Sequence, residues 1–502
     1  MDTARAAADA PPAPTSPLTL PVVLAGVVLV AMSISGTAVA LPSIGEELGA
    51  SGSALNWVVA GYNLAFAAMT LIAGAAADRL GRRRVFVVAA LVFAGGFAVT
   101  AASTSIVVAD VARIVSGAGG AGIMAAGGAL LASSFDGAAR NRAFALMGTM
   151  AGVGIAVGPT LSGLLVSATG WRGGFVAFAA VALLVALGAT RARESRAVGG
   201  GTDPLGSALF VASLALLMFA LLEGSALGWT HPAVLGTGAG GVTAMVAFGL
   251  VQRRAAAPVL APSLVSNRPF LGWSTATLTT SIGFLGALVF LPTYLQAAAG
   301  LSPAEAGAAM LLLTAPVLVT PMAAAALVGR GVSARMLIMA SLLLVVAGNL
   351  WLTALDADDA VAVAAVPLLL IGVGMGASFG ITDGQAMGLV PADTVGVAAG
   401  FLNTLRGAAE ALVIAAFSAS IGGLLTARLG DAERAAAVSA GHVSATGAAA
   451  ELDAFTWSWR MTQLGVAGLC LLLSVVVAIL IYGRGGARSP RPGGHADAAQ
   501  SR

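Results

Sequence analysis

The sequence predicts an all-α integral membrane protein whose chain crosses the bilayer fourteen times. Hydrophobic residues make up 58% of the 502-residue chain and the mean hydropathy is +0.95, far above the range of a water-facing protein. Only 9% of the residues are charged, and most of them lie between apolar runs long enough to span a bilayer. Arginine is concentrated in alternate loops, which predicts one orientation of the chain.

Apolar runs of about 20 residues define the predicted spans. In chain order they lie at 19–42, 54–77, 84–103, 106–133, 143–166, 173–191, 204–223, 233–252, 270–297, 303–328, 334–354, 361–388, 396–427 and 461–482. A short arm containing Pro11 and Pro17 precedes the first run, which is long enough to span, so we expect this run to remain as a signal anchor.

The arginine distribution predicts that both termini are cytoplasmic. With an even number of spans and the N-terminus inside, the cytoplasmic loops hold Arg79, Arg82, Arg83, Arg84, Arg140, Arg142, Arg191, Arg193, Arg196, Arg253, Arg254, Arg268, Arg330, Arg335 and the arginines of the tail. Four arginines are predicted to be external: Arg172, Arg428, Arg434 and Arg460. We interpret the segment between Arg428 and Arg460 as an external loop that contains at most a short helix.

The densest group of charges lies between the second and third predicted spans. Its glycines can form a tight turn, and its charged residues can pair with neighbouring helix ends; the group comprises Gly74, Asp78, Arg79, Gly81, Arg82 and Arg83. The segment Gly329–Arg335 repeats its arginine spacing without the aspartate. The two segments are separated by two spans more than one six-helix repeat, so we interpret spans 7 and 8 as an insertion.

These observations predict five parts of the chain. They are a cytoplasmic N-terminal arm (1–18), a six-helix bundle (19–191), a linker with two extra transmembrane helices (192–256), a second six-helix bundle (257–482) and a disordered cytoplasmic tail (483–502).

Composition argues against several other classes of protein. The net charge is only +3 and the chain has no lysine, which disfavours nucleic-acid binding and excludes a P-loop of the usual type. A single cysteine and three scattered histidines predict no metal centre. The GxGxxG string at Gly117–Gly122 lies inside a predicted membrane span, so we interpret it as helix packing rather than a dinucleotide site.

The fifth predicted span carries a second motif, formed by Gly154, Gly158, Pro159 and Gly163. The Gly-Pro step predicts a kink, and the glycines allow close packing of neighbouring helices. Small-xxx-small spacing also occurs in many membrane helices for packing alone.

The charge group resembles the loop between helices 2 and 3 of the major facilitator superfamily, and the fifth-span motif resembles the antiporter motif of its proton-coupled exporters. Further segments, from about residue 20 to 482, resemble its fourteen-helix drug:proton antiporter branch. They are Trp57 to Ala65, Arg113 with Gly117, Gly170-Trp171-Arg172, Leu291 to Gln296, Gly300 to Gly307, and Asn403 to Arg406. The resemblance implies the major facilitator fold, with two six-helix bundles, two inserted helices and alternating access.

Two positions depart from the family pattern. Ser33 stands in the first span where an acidic residue is common, and Ser116 stands where a glutamine usually precedes the glycine of the fourth span. A usual cation-binding carboxylate and a hydrogen-bond partner of Arg113 are therefore replaced by hydroxyl groups.

Few charges remain inside the predicted spans, and each is a functional candidate because charge is costly there. They are Asp110, Arg113, Asp383, Arg406 and Glu410. Asp110 and Arg113 are three residues apart, and Arg406 and Glu410 four apart, so each pair shares a helix face. A structural ion pair is the alternative for both. For Glu410, desolvation opposes ionisation and Arg406 favours it, which suits a proton-coupling carboxylate. The resemblance implies a coupling role for Arg113, which acts electrostatically or holds a water or a carbonyl.

Polar and aromatic residues within otherwise aliphatic spans are candidates for substrate contacts. They are Ser33, Tyr62, Asn63, Phe66, Tyr294, Gln296 and Asn403, each of which can also serve as a helix-packing hydrogen bond or contact. Aromatic residues make up only 6% of the chain, so the predicted cavity is largely aliphatic and suits a lipophilic substrate.

The sequence therefore predicts a monomeric secondary transporter of the bacterial cytoplasmic membrane. Its expected function is proton-coupled export of hydrophobic or amphipathic drugs, antibiotics or secondary metabolites, with the proton gradient as energy source and no cofactor. The alternatives are a facilitator or importer of the same fold and, from a different class, a membrane-embedded enzyme or a non-transporting sensor.

Overall fold

The computed structural model describes residues 17–135, 137–196, 203–255, 266–356, 360–389, 395–444 and 447–483. Within these ranges all regular structure is helical. The terminal arm and tail fall almost entirely outside them.

The helices follow the predicted apolar runs closely. Their bounds are α1 Thr19–Gly36, α2 Leu41–Leu48, α3 Gly52–Leu80, α4 Arg82–Ala102, α5 Ile106–Ser134, α6 Gly137–Ala189, α7 Pro204–Leu227, α8 Pro232–Gln252, α9 Arg268–Ala298, α10 Pro303–Ala309, α11 Leu311–Gly329, α12 Ala334–Trp351, α13 Ala360–Met387, α14 Val395–Leu429, α15 Ala432–Ser439 and α16 Ala448–Tyr482. A 3₁₀ turn, Thr37–Ala40, joins α1 to α2, and another, Leu352–Ala354, follows α12.

The described residues contain 12 helices long and apolar enough to cross a membrane, or 13 when the bent α3 is counted as one span. One of the 12, Arg142–Ala189, has 48 residues, which would extend roughly 70 Å if the helix were straight, more than twice the thickness of the hydrocarbon core. The backbone leaves helical geometry inside it at Gly170, where φ is 71° and ψ is 170°. The total of fourteen crossings stays a prediction.

The last two helices differ from the expected external loop. The predicted loop between Arg428 and Arg460 contains the short helix α15, and α16 begins at Ala448, well before the predicted start at 461. The early start has a local cause, because Glu451 in the first turn of α16 accepts hydrogen bonds from the backbone and hydroxyl of Ser444 and from Arg434.

The helices pack in two groups, α1–α6 and α9–α16, with α7 and α8 packed on each other. The first group meets the second where α3 packs on α14 and where α6 packs on α10 and α11. Helix α7 contacts both α3 and α14, so it lies beside the junction of the two groups.

The junction is sealed at the end of the molecule that carries α2, α10 and α15, which we call the closed end. Asn56 donates to the hydroxyl of Ser418 at 2.5 Å, and Thr160 donates to the carbonyl of Gly307 at 2.9 Å. Gly163 lies so close to the carbonyl oxygen of Pro303 that a Cβ would overlap it, and Gly307 is packed in the same way on the carbonyl of Pro159. The two groups therefore meet backbone to backbone at this end.

Candidate functional site

The candidate site lies at mid-depth, where α3 of the first group faces α14 of the second. Gly407 on α14 packs on Ala67 on α3, and a Cβ on Gly407 would lie 3.0 Å from the Cβ of Ala67. Glycine allows this close approach, which brings Arg406 and Glu410, one residue before and three residues after Gly407 on α14, to the junction.

Arg406 is paired across helices rather than within its own helix. Its Nη2 lies 3.0 Å from Oδ1 of Asp383 on α13, and its guanidinium lies 4.8 Å from the ring centre of Phe379. The spacing of four residues in the sequence suggested Glu410 as its partner. Because Asp383 is 46% exposed at its side chain, the pair borders an open space rather than a dry core.

Glu410 is left without a direct partner among the described residues. Its carboxylate makes no hydrogen bond or ion pair there, although Arg406 lies one helical turn away. It also lies close enough to Tyr62 on α3 to interact with it electrostatically, across the boundary between the two groups. Among the described residues, Glu410 is therefore a carboxylate without a direct partner at the boundary between the two groups.

Arg113, by contrast, is fully buried inside the first group. Its Nε donates to the carbonyl of Val58 at 3.0 Å, Nη2 to the hydroxyl of Thr37 at 3.2 Å and Nη1 to that of Ser33 at 3.4 Å. Three aromatic rings surround the guanidinium, with centres at 4.3 Å (Tyr62), 5.0 Å (Phe97) and 5.6 Å (Phe175). Neutral acceptors and rings thus hold this cation, and the carbonyl contact is one of the roles expected for it.

Asp110 forms no ion pair with Arg113 among the described residues, although the two share a helix face. Oδ1 of Asp110 is buried and has no hydrogen-bond partner in the described part of the chain. Ser116, which replaces the usual glutamine, donates to the carbonyl of Ala112 instead of contacting Arg113. The three-residue spacing therefore predicted correctly that Asp110 and Arg113 share a helix face, but it does not make them an ion pair among the described residues.

The candidates for substrate contacts in the first group lie close together near Arg113. Tyr62 stacks on Phe66 with ring centres 6.4 Å apart, and its hydroxyl lies near Ser33 without a hydrogen bond of regular geometry. Asn63 donates to the carbonyl of Val59, while its Oδ1 is buried without a partner among the described residues. Ser33 lies on α1, and the other three candidates lie along α3, which packs on α14 at the junction.

The candidates in the second group are dispersed. The Tyr294 hydroxyl shares a 2.8 Å hydrogen bond with Thr456, and its ring packs on Trp459, which places it in the interior of the second group. Gln296 reaches the other group, where its Nε2 donates to the carbonyl of Val39 at 3.3 Å, so it belongs to the closed end. The side chain of Asn403 lies outside the described residues.

The charge group between α3 and α4 is held by a carboxylate that the sequence did not single out. Arg82 pairs with Asp78 at 3.0 Å, one turn away. Glu194, beyond the end of α6, accepts the backbone N–H groups of Arg83 at 3.0 Å and Arg84 at 3.2 Å. Gly81 has φ 115°, and a Cβ there would clash with Glu194. The carboxylate therefore caps the N-terminus of α4 and ties the loop to the end of the first group.

Two other residues of the charge group lie in the last two turns of α3. They are Gly74, which lies near Ala125, and Arg79, whose side chain is exposed.

The motif in α6 contacts both groups. Gly154 packs on Ala31, and Gly158 packs so tightly on Ser35 that a side chain would overlap its hydroxyl. Further along, Pro159 and Gly163 contact α10 of the second group. One stretch of helix therefore joins the packing of α1 to the closure between the groups.

Sequence reasoning missed three polar residues of this region. Thr37 lies one turn beyond Ser33, a spacing that could have indicated a second ligand for Arg113. Glu194 follows α6 at the start of the predicted linker, where no local pattern marks a carboxylate that binds another loop. Glu223 on α7 accepts hydrogen bonds from α3, and it lies at the end of a run judged by apolarity alone.

The family model of the Major Facilitator Superfamily matches residues 23–414. The chain belongs to the major facilitator superfamily. It is a multi-pass membrane transporter and not an enzyme.

Similar superfamily members are resistance and export proteins. The puromycin resistance protein pur8 of Streptomyces alboniger is 31% identical over 93% of this chain and 91% of its own length. The tetracenomycin C resistance and export protein of Streptomyces glaucescens is 31% identical over 82% of this chain and 76% of its own. The multidrug resistance protein Stp of Mycobacterium tuberculosis is 30% identical over 78% and 73%.

Solved transporters share the fold. A bacterial homologue of the human lysosomal transporter Spinster, in an inward-facing and unoccupied conformation, matches with a TM-score of 0.63 at 14% identity over 93% of this chain and 98% of its own. The POT family transporter PepTSo matches with a TM-score of 0.63 at 16% identity over 93% of this chain and 98% of its own. At these identities the likeness supports the fold alone.

Proposed function

We propose that this transporter is a proton-coupled exporter of hydrophobic or amphipathic compounds, with Glu410 as the coupling carboxylate. The observation that supports this most directly is that the two neighbouring charges on α14, Arg406 and Glu410, differ in their partners. Asp383 neutralises Arg406, whereas Glu410 at the junction of the two groups has no direct partner among the described residues. A carboxylate in that position can take up and release a proton as its exposure changes.

The proposed cycle depends on the movement of the two groups. With the closed end external, as the arginine distribution predicts, the present arrangement is closed outward and the junction is reached from the cytoplasm. Substrate binds there, the groups rock, and Glu410 meets the external solution, where it gains a proton as substrate leaves. A cationic substrate competes with the proton for the same carboxylate.

The substrate class rests on chemistry and on relatives. The junction residues of α3 are mainly apolar and aromatic, and the relatives' names connect them to puromycin, tetracenomycin C and several drugs. We place the protein in the bacterial cytoplasmic membrane as a monomer with both termini inside and the proton gradient as its energy source.

A facilitator or importer of the same fold is the second candidate. Ser33 favours it, because this residue occupies a position where an acidic residue is common and here receives a hydrogen bond from Arg113. Without that carboxylate, proton coupling rests on fewer groups.

Proteoliposomes with an imposed pH gradient test the proposal. Puromycin and the lipophilic cation ethidium serve as substrates, and the wild type is compared with Glu410→Gln. Substrate uptake coupled to proton release is expected in the wild type, with at least tenfold less pH-driven transport in the variant and unchanged melting temperature. The control is Asp453→Asn, which removes an exposed carboxylate paired with Arg428 at the closed end and should transport normally.

Transport by the wild type without proton movement would exclude antiport and favour the facilitator. Proton-coupled transport that persists in Glu410→Gln would retain the antiporter and exclude Glu410 as its coupling group.

A further inference from the structure

Helix α7 of the inserted pair ends in a carboxylate that contacts the first group. Glu223, in the last two turns of α7, accepts a hydrogen bond from the indole N–H of Trp57 at 3.1 Å and from the hydroxyl of Ser53 at 3.3 Å. Both donors lie in the first two turns of α3. The inserted helix is therefore attached to the closed end of α3 by two side-chain hydrogen bonds.

The same turns of α3 carry a contact with the second group. Asn56, adjacent to Trp57, donates to Ser418 on α14 at 2.5 Å. Since α7 packs against both α3 and α14, three helices converge here. The insertion thus supports the place where the two groups are sealed.

The charge of Glu223 has no arginine partner among the described residues. Another carboxylate, Asp110 on α5 of the first group, lies close enough to interact with it electrostatically. Ser53 and Trp57 are neutral, and Glu410 and Arg406 on α14 lie deeper along the junction, near Ala67. A carboxylate in an apolar helix end beside a like charge is costly, and hydrogen bonds to it are correspondingly strong.

We propose that Glu223 is a positioning residue of the closed end. Through Trp57 and Ser53 it holds the start of α3 against α14, so the inserted helix takes part in gating and is not a peripheral addition. Opening of this end requires the Glu223 hydrogen bonds to break or α7 to move with α3. This role does not depend on proton coupling and holds equally for a facilitator.

Reactivity of a cysteine placed in the seal tests the proposal. Ser418→Cys puts a thiol at a position that is 5% exposed in the closed arrangement, and the native Cys470 is buried, so the protein without the new thiol gives the background. The rate of labelling by a water-soluble maleimide is measured in purified full-length protein in nanodiscs. A looser seal labels faster.

Glu223→Ala and Trp57→Phe, each added to Ser418→Cys, are expected to label about fivefold faster or more. The double variant should exceed the larger single effect by less than twofold, because both changes break the same hydrogen bond. Transport should change in maximal rate more than in KM, since substrate contacts are untouched.

Asp203→Asn is the matched control. Asp203 caps the other end of α7, where it accepts from the backbone of Gly206 and from Gln252 of α8. This variant perturbs the insertion without reaching the seal, so its labelling rate should match that of Ser418→Cys alone.

Unchanged labelling in Glu223→Ala and Trp57→Phe would overturn the proposal. Equal acceleration by Asp203→Asn would also overturn it, because the effect would then reflect general loosening of the inserted pair. Glu223→Gln, whose amide oxygen still accepts from Trp57, should lie between the wild type and Glu223→Ala.

Discussion

Arg113 and Arg406 both lie well inside predicted membrane spans, and their surroundings in the structure differ. Arg113 is buried within one group of helices, where a carbonyl, two hydroxyls and three aromatic rings surround it. Arg406 lies at the junction of the two groups, where it pairs with the half-exposed Asp383. The first cation is held by neutral contacts only, and the second belongs to a charged pair beside the boundary between the two groups.

The contrast separates a cation held by neutral groups inside one bundle from a cation held by a carboxylate at the junction of the two groups. A buried cation without a paired anion must be satisfied by dipoles in fixed positions, so its geometry is demanding. A partly hydrated ion pair tolerates altered geometry and acts on neighbouring charges through space.

The largest difference in stability is expected between two single variants in which either Arg113 or Arg406 is replaced by lysine. Arg113→Lys keeps the charge but cannot reach Val58, Ser33 and Thr37 together, so we expect a loss of roughly 3 kcal/mol of stability. Arg406→Lys can still pair with Asp383 and should cost about 1 kcal/mol or less. Melting of the purified proteins in detergent measures both, and equal melting temperatures in the two variants would remove the distinction.

Arg406→Gln should move the pH dependence of transport while leaving the fold unchanged. The guanidinium favours ionised Glu410, so its removal makes protonation easier and should shift the midpoint of the pH profile upward by about 1 unit. Initial rates of substrate efflux from pH 5 to 9 provide the measurement. Arg428→Gln, at an exposed pair with Asp453, is the control and should leave the midpoint in place.

A smaller difference of the same kind is expected between two buried tyrosines, Tyr294 inside the second group and Tyr62 on α3. Tyr294→Phe loses the hydrogen bond to Thr456 and should cost about 1 kcal/mol of stability, with KM unchanged because the ring lies inside the second group. Tyr62→Phe loses a hydroxyl that has no regular hydrogen bond among the described residues, so the stability should be unchanged. KM should change, because Tyr62 lies on α3 close enough to Glu410 to interact with it across the junction. Melting and substrate saturation curves check both, and a KM change in Tyr294→Phe would place this residue in the substrate path.

The helices could be predicted from the sequence because each long apolar run has one stable solution in a bilayer. The start of α16 could not, since a helix stabilised by a buried glutamate and a loop serine leaves no apolar signal. Spacing along one helix brought Asp110 near Arg113 and Glu410 near Arg406, yet the partners of both arginines come from other helices. Cross-helix pairing depends on packing register, which a single sequence does not reveal.

The hydrogen bonds of Glu223 and Glu194 could not be predicted from the sequence either. Both carboxylates accept hydrogen bonds from another helix's residues, and neither belongs to a recognisable local pattern. The glycine and proline motif of α6 was identifiable because its residue types are distinctive, although its contact with α10 required the structure.

The contact between α6 and α10 is reciprocal, since each helix offers a bare glycine to a proline carbonyl of the other. Gly163 covers the carbonyl of Pro303, and Gly307 covers that of Pro159. Such a joint has no long side chains that could stretch to keep partial contact as the helices separate, so it loses its packing within a very short displacement. We therefore expect this joint to open abruptly, which would leave the transporter few partly open states through which ions could leak.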